Sequence, residues 1–239
     1  KFPEIRLSPL ISASVKNREK LSQFDIIFIT TESKRVIEVI TEISLSNNKA
    51  NVVITSKGFA NNTGELFNET IQKQFPSIII SVLTGPTFAD EIAKNQPAAA
   101  IVASKELTHA QTICQLFHNS NLRLYPSDDT KGASIAGAVK NIIAIGAGII
   151  QGLGLGDNAK AALITRGISE TSSLIEKLGG NPKTAFGLAG IGDMSLTCSG
   201  PHARNMAYGM QITKDINGIR NKFKGNSLPN IYLLHGEMT

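Results

Sequence analysis

Residues 24–43 read FDIIFITTESKRVIEVITEI, an apolar run followed by a segment with helical periodicity. The run 24–30 is rich in isoleucine and does not alternate with polar residues, which is typical of a strand covered on both faces. In the segment 32–43 one helical face carries Val36, Ile37, Ile40 and Ile43. The stretch therefore predicts a buried strand followed by a helix that packs on it.

The same rhythm continues along the first half of the chain. Further apolar runs lie at 51–55, 77–83, 98–104 and 122–125, and helix-like segments lie between them at 63–75 and 106–118. Alternation of strand and helix is the signature of a doubly wound α/β domain with a parallel sheet. We therefore expect an α/β domain over residues 1–127.

The rhythm stops at YPSDDTKG, residues 125–132. Asp128, Asp129 and Thr130 are all suited to cap a following helix. Beyond this point Ala, Gly, Ile and Leu recur at helical spacing, and residues 158–179 read as one helix that ends at a glycine pair. The sequence predicts a second, all-helical domain over residues 128–239.

The most apolar stretch, SIAGAVKNIIAIGAGII at 134–150, carries a single charge, Lys140. A lysine inside a membrane span costs about 2.5–3.5 kcal/mol, and the glycines of the stretch add little hydrophobic gain. We therefore predict a buried helix and no transmembrane segment. Lys140 either extends to solvent at the helix edge or faces a cleft between the two domains. In the cleft, desolvation and a nearby cation such as Lys57 would lower its pKa and suit it to proton exchange.

The composition argues against some classes of binding partner and favours others. The 239 residues carry a net charge of +5, and no segment is a dense Lys/Arg tract of the kind that binds nucleic acid. Cys114 and Cys198 form no disulfide framework, and the four histidines are scattered, so no metal site is predicted. A slightly basic surface attracts small anionic ligands, and the cysteine usage fits a reducing compartment, which predicts a cytoplasmic location.

Two loops follow predicted strands directly. Lys57 lies in TSKGF, residues 55–59, and Thr87 lies in LTGPTFADEI, residues 83–92. Residues at the carboxyl ends of parallel strands line the ligand crevice of such a sheet, so both loops are candidate ligand contacts. The alternatives are a surface-loop lysine and an ordinary turn.

A further group of polar residues lies in GLAGIGDMSLTCSGPHARN, residues 187–205. Asp193 is suited to neutralise or orient a lysine. Arg204 is suited to bidentate phosphate binding, although a solvated position on a helix is the simpler interpretation.

These motifs, in this order, resemble one family, the bacterial-type NAD(P)-dependent sn-glycerol-3-phosphate dehydrogenases. The matching segments are SKG at 56–58, TGPTFADEI at 84–92, the block 136–167, GLAGIGDMSLTC at 187–198 and RN at 204–205. The resemblance implies a Rossmann-like sheet followed by a helical substrate domain. It also implies interconversion of glycerol 3-phosphate and dihydroxyacetone phosphate with NAD or NADP, for phospholipid synthesis.

The resemblance assigns roles residue by residue. Lys140 would be the proton acceptor of the oxidation and would contact the substrate, and Lys57 would contact both substrate and cofactor. The remaining substrate contacts would be Gly85, Thr87, Asp193, Arg204 and Asn205. The remaining cofactor contacts would be Ala89 and Arg204.

The sequence also departs from the family pattern. No G-x-G-x-x-G turn occurs before Phe24, and GLGLGD at 152–157 lies in the helical region, where it cannot serve as that turn. The resemblance fades from about Thr213, and Ala203 stands where the family commonly has serine. We therefore expect an incomplete doubly wound sheet, a member of the family truncated at both ends, and weak or no turnover by this chain.

Two other interpretations of the sequence remain open. One is a non-catalytic remnant of the same enzyme. The other is a related β-hydroxyacid or nucleotide-sugar dehydrogenase, which uses a similar helix with a Lys-Asn pair. The sequence does not decide between NAD and NADP. It leaves the oligomeric state open as well, with a homodimer as the hypothesis.

Overall fold

The computed structural model describes residues 5–6, 8–13, 18–60, 64–200 and 203–214. The strands are β1 Ile26–Ile29, β2 Asn51–Ile54, β3 Ile79–Thr84, β4 Ala98–Ser104 and β5 Leu122–Ser127. The helices are α1 Val36–Ser46, α2 Phe67–Gln74, α3 Ala89–Ala93, α4 Leu107–Gln115, α5 Thr130–Gly152, α6 Gly156–Lys177, α7 Asp193–Cys198 and α8 Arg204–Lys214. Short 3₁₀ helices lie at Arg18–Gln23, Ser33–Arg35 and Pro182–Phe186, and a π-helical turn lies at Leu188–Gly192. Every strand expected from the sequence is present within a few residues of its predicted bounds.

The five strands form one sheet in the order β1-β2-β3-β4-β5. The pairs β1–β2, β2–β3 and β4–β5 are parallel, but β3 and β4 run antiparallel. The prediction of a wholly parallel sheet is therefore wrong at this one junction. Residues 85–97 connect the two strands, and the one helix among them, α3, has five residues and is too short to run back along a strand of about 20 Å. The chain stays at the carboxyl end of β3, and β4 begins there.

Both faces of the sheet are covered, as the continuous apolar runs predict. Ile54 packs on one face with residues of α1 and α2. The adjacent Val53 packs on the opposite face with Ala110 and Ile113 of α4. This alternation confirms the doubly wound arrangement, in which helices lie on the two sides of the sheet.

Helix α5 begins where the sequence predicts a cap. The Asp129 carboxylate accepts a hydrogen bond from the Gly132 backbone N–H at 2.9 Å and another from the Thr184 hydroxyl. Among the described residues, α5 is the one helix long and apolar enough to cross a membrane, and half of its most apolar window is buried inside the protein. It packs against β3, β4, α6, α7 and α8, so we interpret it as a core helix.

The predicted boundary between residues 127 and 128 falls between β5 and the start of α5, and it remains a prediction. The helical region that follows contains α5 to α8, with left-handed glycines at Gly154, between α5 and α6, and at Gly156, the first residue of α6. The segment GLGLGD therefore serves as a helix–helix turn. The divergent tail from 215 onward lies outside the described residues.

Helices α5 and α8 approach each other through two glycines. A Cβ on Gly148 would lie 2.1 Å from the Met206 carbonyl oxygen, and one on Gly209 would lie 2.1 Å from the Ile145 carbonyl oxygen. Both clashes are with backbone, which cannot rotate away as a side chain can. The close contact fixes α8 along α5.

We expect Gly209→Ala to destabilise the protein by about 1–3 kcal/mol, the usual cost of overpacking, even though alanine favours a helix more than glycine does. The measurement is the free energy of unfolding in urea. Gln211→Ala, at an exposed position on the same helix, is the matched control and should change little. Equal stabilities of the two variants would contradict the close contact.

Candidate active site

Three charged side chains from distant segments meet beside α5. Lys140 projects from this helix and is 8% exposed, while Asp193 at the start of α7 is 2% exposed. The Lys140 Nζ donates to Asp193 Oδ1 at 2.5 Å, and the Lys57 Nζ donates to the other oxygen, Oδ2. Two amines therefore share one buried carboxylate.

Lys57 reaches this cluster by packing across Gly137 of α5. Gly137 lies one turn before Lys140 on the same helix face, and a Cβ there would lie 3.2 Å from Thr84 Oγ1 and 3.6 Å from the Lys57 Cδ. The loop that carries Lys57 is tied down because the Ser56 hydroxyl donates to the Thr31 carbonyl oxygen at 2.5 Å. The aliphatic part of Lys57 thus crosses α5 at a position where no side chain projects from the helix.

Asp193 is presented by the π-helical turn Leu188–Gly192, which runs directly into α7. A Cβ on Gly190 would lie 2.0 Å from the Ala185 carbonyl oxygen, so this turn packs against the preceding 3₁₀ helix with no room for a side chain. π turns occur frequently at functional sites. The sequence identifies Asp193 among its glycines but does not predict the π turn.

Two polar side chains of this cluster, Thr197 and Asn141, were given no role in the predicted site. The Thr197 hydroxyl accepts from Lys140 Nζ at 3.2 Å and donates to the Asp193 carbonyl oxygen at 2.6 Å. Asn141 accepts at its Oδ1 from the side-chain amide of Asn205 at 2.8 Å. The available signals were the four-residue spacing of 193 and 197 on one helix and the position of Asn141 next to Lys140.

The pKa of the Lys140 amine is lowered to about 7. Burial is the largest cause, the positive charge of Lys57 adds to it, and the contact with Asp193 opposes both. Nearby, burial raises the pKa of the Cys198 thiol to about 11, so this group stays protonated at neutral pH. Lys140 is thus the group poised to gain or lose a proton near neutrality, in the direction that the sequence led us to expect.

This lowered pKa predicts a pH-dependent stability. Between about pH 7 and the ordinary lysine pKa of 10.5, Lys140 binds more proton in the unfolded chain than in the folded one. The free energy of unfolding therefore rises with pH in this window, by at most about 1.4 kcal/mol per pH unit for one proton. Below pH 7 the amine is protonated in both states and its contribution becomes constant.

Urea unfolding at several pH values from 6 to 9 measures this slope. Lys140→Met removes the titrating group, so the difference between wild type and variant isolates its contribution from those of all other groups. Parallel curves for the two proteins across this range would exclude the lowered pKa.

The turn between β3 and α3 holds the other predicted substrate contacts. Gly85 has a φ of +156°, and a Cβ there would lie 2.7 Å from the Ala100 Cα, so the position requires glycine. The Thr87 hydroxyl donates to the Gly85 carbonyl oxygen at 3.2 Å. The neighbouring Pro86 lies 3.6 Å from where a Cβ of Gly192 would stand, which brings this turn close to the segment that ends at Asp193.

Arg204 and Ala89 are predicted contacts at the starts of two helices. Both are exposed, Ala89 as the first residue of α3 and Arg204 as the first residue of α8, beside Asn205. The structure therefore joins Lys57, Lys140 and Asp193 directly and places Asn205 one contact away through Asn141. The ligand roles of all the predicted residues remain predictions. Within the described part of the chain, no three His, Cys, Asp or Glu side chains form a group that could hold a metal ion.

Comparison with known families gives matches at both ends of the described structure. The family model described as the N-terminus of NAD-dependent glycerol-3-phosphate dehydrogenase matches residues 1–110. The model of the C-terminus of the same enzyme matches residues 129–231. Residues 111–128 lie between the two matches.

Curated relatives carry the same description. Glycerol-3-phosphate dehydrogenase (NAD(P)+) of Bacillus subtilis strain 168 is 39% identical over 217 residues, which cover 89% of this chain and 63% of the relative. The protein of the same description from Francisella philomiragia is 37% identical over 236 residues, covering 95% of this chain and 70% of the relative. The chain thus spans about two thirds of the length of these relatives.

A solved structure agrees with them. The crystal structure of glycerol-3-phosphate dehydrogenase from Coxiella burnetii superposes with a TM-score of 0.86 at 31% identity, covering 95% of this chain and 70% of that one. The structure from Dunaliella salina, with a TM-score of 0.82 at 21% identity, shares the fold. The chain belongs to the NAD-dependent glycerol-3-phosphate dehydrogenase family, as the resemblance of its motifs predicted.

Proposed function

We propose that this chain carries the proton-transfer centre of an NAD(P)-dependent glycerol-3-phosphate dehydrogenase, which interconverts sn-glycerol 3-phosphate and dihydroxyacetone phosphate. One observation carries the proposal: Lys140 is a buried amine whose pKa lies near 7, held between Lys57 and Asp193. A general acid or base works best when its pKa lies near the working pH. This arrangement supports reversible oxidation of an alcohol to a ketone.

In the oxidation, neutral Lys140 Nζ accepts the proton of the substrate hydroxyl while the C–H bond on the same carbon breaks. The electron pair of the O–H bond forms the new carbonyl, and the hydrogen leaves carbon as hydride. In the reduction, the Lys140 ammonium returns its proton to the carbonyl oxygen. A nicotinamide cofactor, NAD or NADP, supplies the hydride acceptor and donor. The Asp193 carboxylate orients the amine in both directions through its hydrogen bond.

The substrate is a small phosphorylated molecule, and the proposed contacts match its charge. Arg204, exposed at the start of α8, is available for bidentate binding of phosphate oxygens. Asn205 is fixed beside it through Asn141. Thr87, Gly85 and the Lys57 amine complete the proposed contacts from the sheet side.

The carboxyl ends of the parallel strands are suited to bind a dinucleotide. Strands β1 and β2 end together, because Ile29 pairs with Ile54, and β3 continues two residues beyond the partner of Ile54, Val82. Ligands bind at such carboxyl ends of parallel strands. The Thr31 hydroxyl, just beyond β1, is buried without a hydrogen-bond partner among the described residues. Lys57, Ala89 and Arg204 would hold the cofactor. We also propose that the enzyme is cytoplasmic, that it serves phospholipid synthesis and that it acts as a homodimer.

The test is an assay of NADH and NADPH oxidation with dihydroxyacetone phosphate, on this chain and on the protein at its full natural length. We expect turnover by the full-length protein and a rise in melting temperature with the preferred cofactor. Turnover with β-hydroxyacids but not with the phosphorylated ketone would overturn the substrate. Absence of both turnover and cofactor binding in the full-length protein would indicate a non-catalytic relative.

A further inference from the structure

A small cavity lies beneath Lys57, between the ends of β2 and β3 and the second turn of α5. Its volume is about 10 Å³. The polar residues that line it are Ser56, Lys57, Thr84 and Ser134, and Gly137 forms part of the wall. The cavity therefore touches the segment that carries Lys57 on one side and the helix that carries Lys140 on the other.

The size of the cavity decides what it can hold. A cavity of about 10–15 Å³ accommodates one water molecule, whereas pockets for small organic ligands occupy hundreds of cubic ångströms. A single water with two to four polar partners fits this space.

A second observation concerns the hydroxyl of Thr84. Thr84 ends β3, is 2% exposed, and its Oγ1 has no hydrogen-bond partner within the described ranges. A buried hydroxyl without a partner carries a substantial desolvation cost. The same oxygen lies 3.2 Å from the point where a Cβ of Gly137 would stand, so it faces α5 at the wall of the cavity.

We propose that the cavity is a binding site for one water molecule, anchored by the Thr84 hydroxyl, and that through this water Thr84 is a positioning residue for Lys57. The water bonds Thr84 Oγ1 on the sheet side and the Ser134 hydroxyl on the helix side. The Ser56 hydroxyl already donates to the Thr31 carbonyl, so its lone pairs are available to accept from the water. The segment Ser56–Gly58 is thereby held against α5. The kinetic importance of this role rests on the proposed function, but the site itself does not.

The two variants Thr84→Val and Thr84→Ser test the site. Valine keeps the shape of threonine and removes the hydroxyl, whereas serine keeps the hydroxyl. If the hydroxyl binds water, Thr84→Val loses a hydrogen bond, and we expect its melting temperature to fall by about 2–4 °C. If the hydroxyl has no partner, its removal leaves the melting temperature unchanged or raises it, and that result would overturn the proposal.

A crystal structure of the wild-type protein, at a resolution that reveals ordered water, provides the direct test. Density for one water within hydrogen-bond distance of Thr84 Oγ1 supports the site, and a dry cavity overturns it. Thr84→Ser should retain the water and Thr84→Val should lack it. None of these measurements uses catalysis, so a failure of the proposed function leaves them unaffected.

The positioning role predicts a change in the pH at which Lys140 reacts. A water with a purely structural role would not cause this change. The charged groups that act on Lys140 are Lys57 and Asp193, so displacement of Lys57 changes the pH at which the Lys140 amine reacts with an acylating reagent. We expect this midpoint to rise in Thr84→Val, because the repulsion from Lys57 weakens, and to return to the wild-type value in Thr84→Ser. An unchanged midpoint in Thr84→Val would overturn the positioning role.

Discussion

Lys140→Met in the full-length protein should lower turnover by roughly 10²–10⁴-fold, the usual contribution of a positioned general acid or base. The side chain of methionine is similar in length and apolar, so it fills the same buried space beside α7 but carries no proton. Cofactor binding should persist, because the amine acts on the substrate oxygen. The measurements are kcat for reduction of dihydroxyacetone phosphate and the dissociation constant of NADH or NADPH.

The control is Lys177→Met at the exposed end of α6, which removes a lysine from the surface and should leave kcat unchanged. In the wild-type enzyme, kcat for the oxidation should fall as the pH drops below about 7, where Lys140 becomes protonated. Turnover by Lys140→Met within a factor of about three of wild type would remove Lys140 from the proton-transfer step.

Asp193→Asn is expected to be the most destabilising single substitution in the site. It leaves two amines facing each other in a buried place without a counter-charge, and breaking a buried ion pair in this way costs about 3–5 kcal/mol. The loss should be greatest below pH 7, where Lys140 carries its proton, and smaller at pH 9, where this amine is neutral. Chemical unfolding at the two pH values measures the difference.

Two further variants make this result specific. Asp157→Asn removes an exposed carboxylate that pairs with Lys160 on the surface, and a surface pair contributes about 0–1 kcal/mol. The double variant Lys140→Met/Asp193→Asn should recover part of the lost stability, because it removes one of the two unpaired amines. If Asp193→Asn and Asp157→Asn were equally stable, the buried carboxylate would not be the counter-charge of the lysines.

Much of the fold follows from the sequence because strands covered on both faces and amphipathic helices leave strong patterns. The five strands, the cap at Asp129 and the helix α6 all lie close to their predicted positions. The direction of β4 could not be predicted in the same way. A strand buried on both faces has the same apolar composition in either direction, so its orientation depends on the length of the connection through α3.

Part of the site was predictable because its charged residues stand alone in apolar or glycine-rich segments of the sequence. A lone lysine in an apolar helix and an aspartate among glycines identified Lys140 and Asp193. Thr197 and Asn141 were given no role, because threonine and asparagine are common on helices. Their roles depend on contacts between distant parts of the chain, such as that of Lys140 with Thr197, 57 residues away. The π turn before α7 was also missed, because glycine-rich segments adopt many conformations.

The three charged groups of the site lie 136 and 53 residues apart along the chain. Closing such long loops is entropically costly and comes late in folding when the local helices have already formed. During refolding, turnover should therefore return after the helical signal in circular dichroism, and the lag between the two would time the docking of α7 onto α5.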